Sequence, residues 1–307
     1  MTEQSVLRFS IIVTLLLAAA DITFGLLSGS YAIVFDGVYS LTDASMTIIA
    51  LLVANLISVS ARSGSSNSKL IERFTMGFWH LEPMVLGLNG TLLMSAAVYA
   101  LINAIGSLMA GGRHLEFGAA IIFSAIMLAI TLAMGIYNIR ANRSIKSAFV
   151  ALDAQSWLMS GALTAALLIA FLFGYAIQDT SLVWMSPYID PAVLALVCLV
   201  IIPIPARTVK RALADIMLVT PSDLKNHVDA VSQDIVERYG FESYRAYVAR
   251  VGRGRQIELY FIVPHHWPAR RLEEWDQMRE EIGAALGEAS PDRWLTIVFT
   301  TDIKWAD

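Results

Sequence analysis

Hydrophobic positions fill the first two thirds of the chain in long runs and alternate with charged positions over the last third. A hydrocarbon core about 30 Å thick takes roughly 20 apolar helical residues to cross, so long runs with few charges read as spans. Six qualify, near residues 8–28, 31–58, 83–109, 116–139, 149–174 and 188–207. The first lacks a small-residue cleavage site and runs straight into the second, which argues against a cleaved signal peptide. From residue 221 the period changes. A helix is expected over 221–239, strands over 242–251 and 256–264 around Gly252-Arg253-Gly254, a second helix over 268–287 and a strand over 293–300. That α-β-β-α-β order predicts a small α+β sandwich with both helices on one face of a three-stranded sheet.

Composition agrees with this division. The 307 residues are 56% hydrophobic and 16% charged, with a mean hydropathy of +0.60, values foreign to ordinary soluble domains. Acidic and basic side chains balance over residues 1–220, so the net charge of −4 belongs to the tail. Nothing basic enough for a nucleic-acid surface is present, and Cys198, the single cysteine, excludes a disulfide scaffold. GxSxG, P-loop and HExxH motifs are missing, which argues against an enzyme. In the connections, Arg8, Arg62, Lys69, Arg73, Arg140, Arg143, Lys146, Arg207, Lys210 and Arg211 fall on one side and Arg113 on the other. The positive-inside rule then places both termini in the cytoplasm, and the compact loops suit a bacterial inner membrane.

Carboxylates inside spans are costly and mark ion routes. Four stand out: Asp21, Asp36, Asp43 and Asp153. Asp36, Tyr39 and Asp43, at i, i+3 and i+7, share a helix face. Asp21 and Asp36, toward the ends of their runs, read either as helix-end groups in interfacial water or as added metal or proton-coupling groups. Oxygen ligands without histidine or cysteine favour hard cations such as Mg, Mn or Fe(II).

Several segments resemble the cation diffusion facilitators, divalent-metal/proton antiporters. SGSYAIVFDGVYSLTD (28–43) is similar to their second-span signature, FTMGFWHLE (74–82) to the stretch before span three, LDAQSWLMSGAL to span five and YIDPAVLALV (188–197) to the start of span six. The resemblance implies a six-helix membrane domain (1–211), a cytoplasmic ferredoxin-like domain (212–307) and a homodimer. It also implies a transport site of two residues four apart in span two and two in span five, which here read Tyr39, Asp43, Asp153 and Trp157. Asp43 and Asp153 are the expected metal ligands. A protonated phenol ligates poorly and an indole not at all, so Trp157 holds a site position without ligand chemistry. A basic residue at the span-three entrance and an acid after span six form an interlock in relatives; His80 and Asp215 occupy those positions.

The expected activity is export of a divalent cation, with Mn, Fe and Zn undistinguished, in exchange for protons and without a resident cofactor. The alternative is a transport-inactive member that supports a partner in a dimer, motivated by the half-filled ligand quartet.

Overall fold

The computed structural model describes residues 3–62, 78–113, 115–145, 148–287, 289–290 and 292–306. Lys69, Arg73, His114, Lys146 and residues 74–77 lie outside them. Among the described residues, six helical segments are long and apolar enough to cross a membrane, and an α-β-β-α-β domain follows: a transmembrane helical bundle with a ferredoxin-like domain, the first and the element order as the hydrophobic pattern predicts and the ferredoxin-like fold as the resemblance implies.

The helices are α1 (Glu3–Ser28), α2 (Tyr31–Arg62), α3 (Leu81–Met109), α4 (Phe117–Ile145) and α5 (Ala148–Ala176), then α6 (Ile189–Ile201) and α7 (Pro203–Ile216). The sixth span runs over Val183–Ile216 and is longer than the sequence suggests. It opens with a 3₁₀ turn, Val183–Tyr188, and is divided before Pro203, which lacks the N–H that would continue the hydrogen-bond ladder.

The chain groups into two compact units, Met1–Ile48 with Leu88–Thr208, and Ile49–Gly87 with Val209–Asp307. The first has a core of Phe35, Ala97, Ala104, Phe117, Leu167, Phe171 and Cys198, with Phe24 stacked on Phe123 at 4.0 Å. Leu16, Leu27, Ile102, Ile122 and Ile169 remain exposed. Apolar side chains on the outer faces of such helices suit a lipid solvent.

In the second unit, α8 (Ser222–Tyr239) precedes β1 (Ser243–Val251) and β2 (Gly254–Ile262), with α9 (Leu272–Ala285) and β3 (Arg293–Thr300) after them. β1 pairs antiparallel with β2, from Ser243↔Ile262 to Val251↔Gly254, and β2 pairs parallel with β3, from Arg255↔Arg293 to Ile262↔Thr300. β2 is therefore central. Its alternate residues Ile257, Leu259 and Phe261 are buried against Val228 and Ile235 of α8 and Met278 and Ile282 of α9. β2 starts two residues earlier than expected because the hairpin turns on Gly252, at φ 60°, with one residue between it and the next strand. α9 starts four residues later than expected, where the Glu274 side chain accepts from the Arg271 backbone N–H at 3.4 Å and caps the helix.

Candidate metal and proton site

The intramembrane carboxylates fall into separate environments. Asp43 on α2 meets the side chain of Asn89 on α3. Asp153 on α5 accepts from Asn138 Nδ2 of α4 at 2.7 Å and also meets the Ser10 hydroxyl and the Trp157 indole. The Oδ1 atoms of Asn89 and Asn138 are buried and unpaired among the described residues. Each of these acids thus lies beside an amide oxygen with spare acceptor capacity.

Trp157, one turn beyond Asp153, is 6% exposed and donates from its indole nitrogen to Ser10 Oγ at 2.6 Å. Its role at this position is a polar strut between α5 and α1. Tyr39 packs against the apolar core, its ring 5.7 Å from that of Phe35. The face shared by Asp36, Tyr39 and Asp43 is therefore divided among a cavity, the core and α3.

That cavity, about 30 Å³, brings Asp21 and Asp36 together. Thr14, Leu17, Ala18 and Asp21 of α1 line it with Asp36 and Ser40 of α2, Met127 and Thr131 of α4, and Trp157, Ser160 and Thr164 of α5. Gly37 makes the approach of α1 and α2 feasible here. A Cβ on it would sit 2.8 Å from Ala18 O and 2.8 Å from Asp21 Cβ, inside contact distance. Asp21 and Asp36 are 6% and 8% exposed, and Asp36 is the charge that Asp21 senses. Among the described residues, neither carboxylate has a hydrogen-bond or ion-pair partner, and no three His, Cys, Asp or Glu side chains gather closely enough to hold a metal.

A further buried carboxylate stands apart from the four to which the sequence points. Asp190 opens α6, is 2% exposed, and accepts from Ser30 Oγ at 2.5 Å and from the Tyr31 backbone N–H at 3.1 Å. It thereby caps the N-terminus of α2 from another helix, satisfying donors that a helix start leaves unpaired. Arg113 lies over the Tyr31 ring at 3.6 Å, and its backbone N–H donates to Pro187 O at 2.7 Å. An acid at the head of an apolar run was the available signal; its partner Ser30 had none.

In the second unit, Asp215 meets the backbone of Gly252, with Arg250 and Glu82 as its charged neighbours. Glu82 at the start of α3 accepts from Arg253 Nε at 2.9 Å, and this bond holds the Arg253 guanidinium above its usual pKa. A Cβ on Gly254 would sit 2.6 Å from the Trp79 ring. The hairpin tip is thus fitted closely to the residues that begin α3. His80 lies in the turn just before that helix.

Among the described residues, six apolar spans with carboxylates in the bundle and an α-β-β-α-β domain define a multi-pass membrane protein. Residues 7–217 match the cation efflux transmembrane domain, and the chain belongs to the cation efflux family, whose members transport metal cations across membranes. No curated protein matches the sequence.

Proposed function

We propose that the protein exports a divalent metal cation from the cytoplasm in exchange for protons, through a site of oxygen ligands. The observation that carries this reading is that Asp21, Asp36, Asp43 and Asp153 have no basic side-chain partner among the described residues. A carboxylate withdrawn from water needs a compensating positive charge, and a metal ion and protons supply it in turn as one site alternates between faces. Asp43 and Asp153 are assigned as transport ligands, with the neighbouring amide oxygens of Asn89 and Asn138 as further hard donors. Asp36, Asp21 and Tyr39 extend the polar route. The termini and the α-β-β-α-β domain are assigned to the cytoplasm of a bacterium, and the working form to a homodimer.

The test is flux into proteoliposomes carrying an internal pH dye, with Mn, Fe(II), Zn, Co and Cd offered in turn. Proton movement driven by one ion and abolished in Asp43→Ala and in Asp153→Ala supports the assignment; flux indifferent to both variants overturns it.

A second reading is favoured by Trp157, which fills a quartet position with a hydrogen-bonded indole. Under it the chain moves no ion and supports an active partner in a mixed dimer. Folded, inserted protein that is silent with every ion selects this reading.

A further inference from the structure

We infer that the cavity between α1, α2, α4 and α5 is a second cation-binding station, at which Asp21 and Asp36 hold one partly dehydrated first-row divalent cation. The inference rests on the transport reading above and adds a site to it, apart from the Asp43 and Asp153 positions.

Hydrogen placement carries the argument. Thr14 Oγ1 donates to Ser10 O at 3.0 Å, Thr131 Oγ1 to Leu128 O at 3.0 Å and Thr164 Oγ1 to Ser160 O at 3.0 Å. Each hydroxyl spends its one hydrogen on its own helix and keeps its lone pairs as acceptors. The indole N–H of Trp157, the remaining donor on the wall with a fixed direction, is turned to Ser10. Ser40 and Ser160 add two more hydroxyl oxygens. Among the described residues, the lining thus offers acceptors and two unpartnered carboxylates, and it holds no lysine, arginine or histidine. An anion would be repelled, and a neutral ligand would leave the carboxylates uncompensated. One divalent cation balances two carboxylates.

Size narrows the occupant. A cavity needs about 10–15 Å³ of this measure to hold one water, so 30 Å³ accommodates an ion with a water or two and not a full hydration shell. Mg²⁺ dehydrates reluctantly and demands near-ideal octahedral geometry. Oxygen dominates the wall, whose one sulfur is the Met127 thioether and whose one side-chain nitrogen is the Trp157 indole N–H, which cannot ligate, so hard and borderline cations are favoured over soft ones. Mn²⁺ meets both conditions and is observable directly, because its sharp six-line magnetic resonance spectrum is lost on binding.

The experiment is Mn²⁺ titration of the full chain in detergent, followed by that spectrum, in the double variant Asp43→Asn/Asp153→Asn. This background is expected to keep one Mn²⁺ per chain, undisplaced by excess Mg²⁺, and adding Asp36→Asn or Asp21→Asn is expected to weaken binding at least about 10-fold, the range seen when a group supporting a bound metal is removed. Ser40→Cys in the same background guards against loss through misfolding, since a thiolate in the wall should confer Cd²⁺ binding by a gain of function. A folded background variant that binds no Mn²⁺, unchanged Mn²⁺ binding after Asp36→Asn and Asp21→Asn, or no gain of Cd²⁺ binding in Ser40→Cys would each overturn the station. Wild-type protein that binds Mn²⁺ in this way yet moves no ion into liposomes would overturn the transport reading and leave the station standing.

Discussion

Trp157 and Ser10 are joined across the α5–α1 interface by a 2.6 Å hydrogen bond between two buried side chains. The indole therefore contributes to helix packing at a position where relatives are expected to place a metal ligand. Trp157→Phe keeps most of the buried area and strands the bond, so a loss of about 1–3 kcal/mol is expected. A lowered Tm in detergent checks it. Ser10→Ala should give a similar drop, and the double variant less than the sum of the two.

Asp190 is the acceptor for Ser30 Oγ and the Tyr31 backbone N–H at the start of α2. Asp190→Ala leaves the buried Ser30 hydroxyl without its acceptor, at a cost of about 1–3 kcal/mol before relaxation, and frees the part-buried Tyr31 N–H at a smaller cost. Asp190→Asn keeps one oxygen and should lie between. Tm and hydrogen exchange at the first turn of α2 report both effects.

Gly37→Ala places a methyl 2.8 Å from the α1 backbone and from Asp21 Cβ. Overpacking of this kind typically costs about 1–3 kcal/mol, and here it also pushes the two cavity acids apart. The expected signature is a modest fall in Tm with a larger fall in ion flux. Flux reduced only in proportion to folded protein would separate the close helix approach from transport.

Glu82 and Arg253 form a partly exposed pair, 27% and 35% open to the surroundings, so its worth is about 1 kcal/mol or less. Arg253→Ala should change stability little. Gly254→Leu, which cannot fit against Trp79 at 2.6 Å, should disturb the fit of the hairpin tip far more. Protease susceptibility of the 252–254 turn distinguishes the two.

Within the α-β-β-α-β domain, Phe261→Ala removes a fully buried ring in contact with Phe241 and Phe299. The expected loss is about 3–5 kcal/mol, visible as a chain that stays membrane-inserted while its sheet signal disappears.

The spans and the α-β-β-α-β order were legible because both rest on periodicity, and periodicity is local. The β1 and β3 limits and α8 follow the pattern to within a residue, and the six spans fall on the apolar runs, although α1, α4 and the last span extend five to nine residues beyond them. Where Pro203 interrupts the last span, the sequence carried the signal in the proline itself. Site chemistry was less accessible, because residues 15 apart, such as Asp21 and Asp36, meet only through helix packing. Spacing placed Tyr39 on the same face as Asp36, yet the core claims its ring. Asn89, Asn138 and Ser10 had no motif to announce them. Their importance lies in which carboxylate they touch, a relationship between helices that no single helical period contains.

The parallel pairing of β2 with β3 has a consequence for biosynthesis. β1 and β2 can close as a hairpin as soon as Ile262 is made, but the other edge of β2 waits for Arg293–Thr300, after α9 has been translated. Until then a central strand carrying Ile257, Leu259 and Phe261 is open along one side, and such edges invite pairing with other chains. A nascent chain stalled or cut between α9 and β3 would carry six inserted spans and an aggregation-prone end, which makes Arg293–Thr300 the stretch that quality control must see completed.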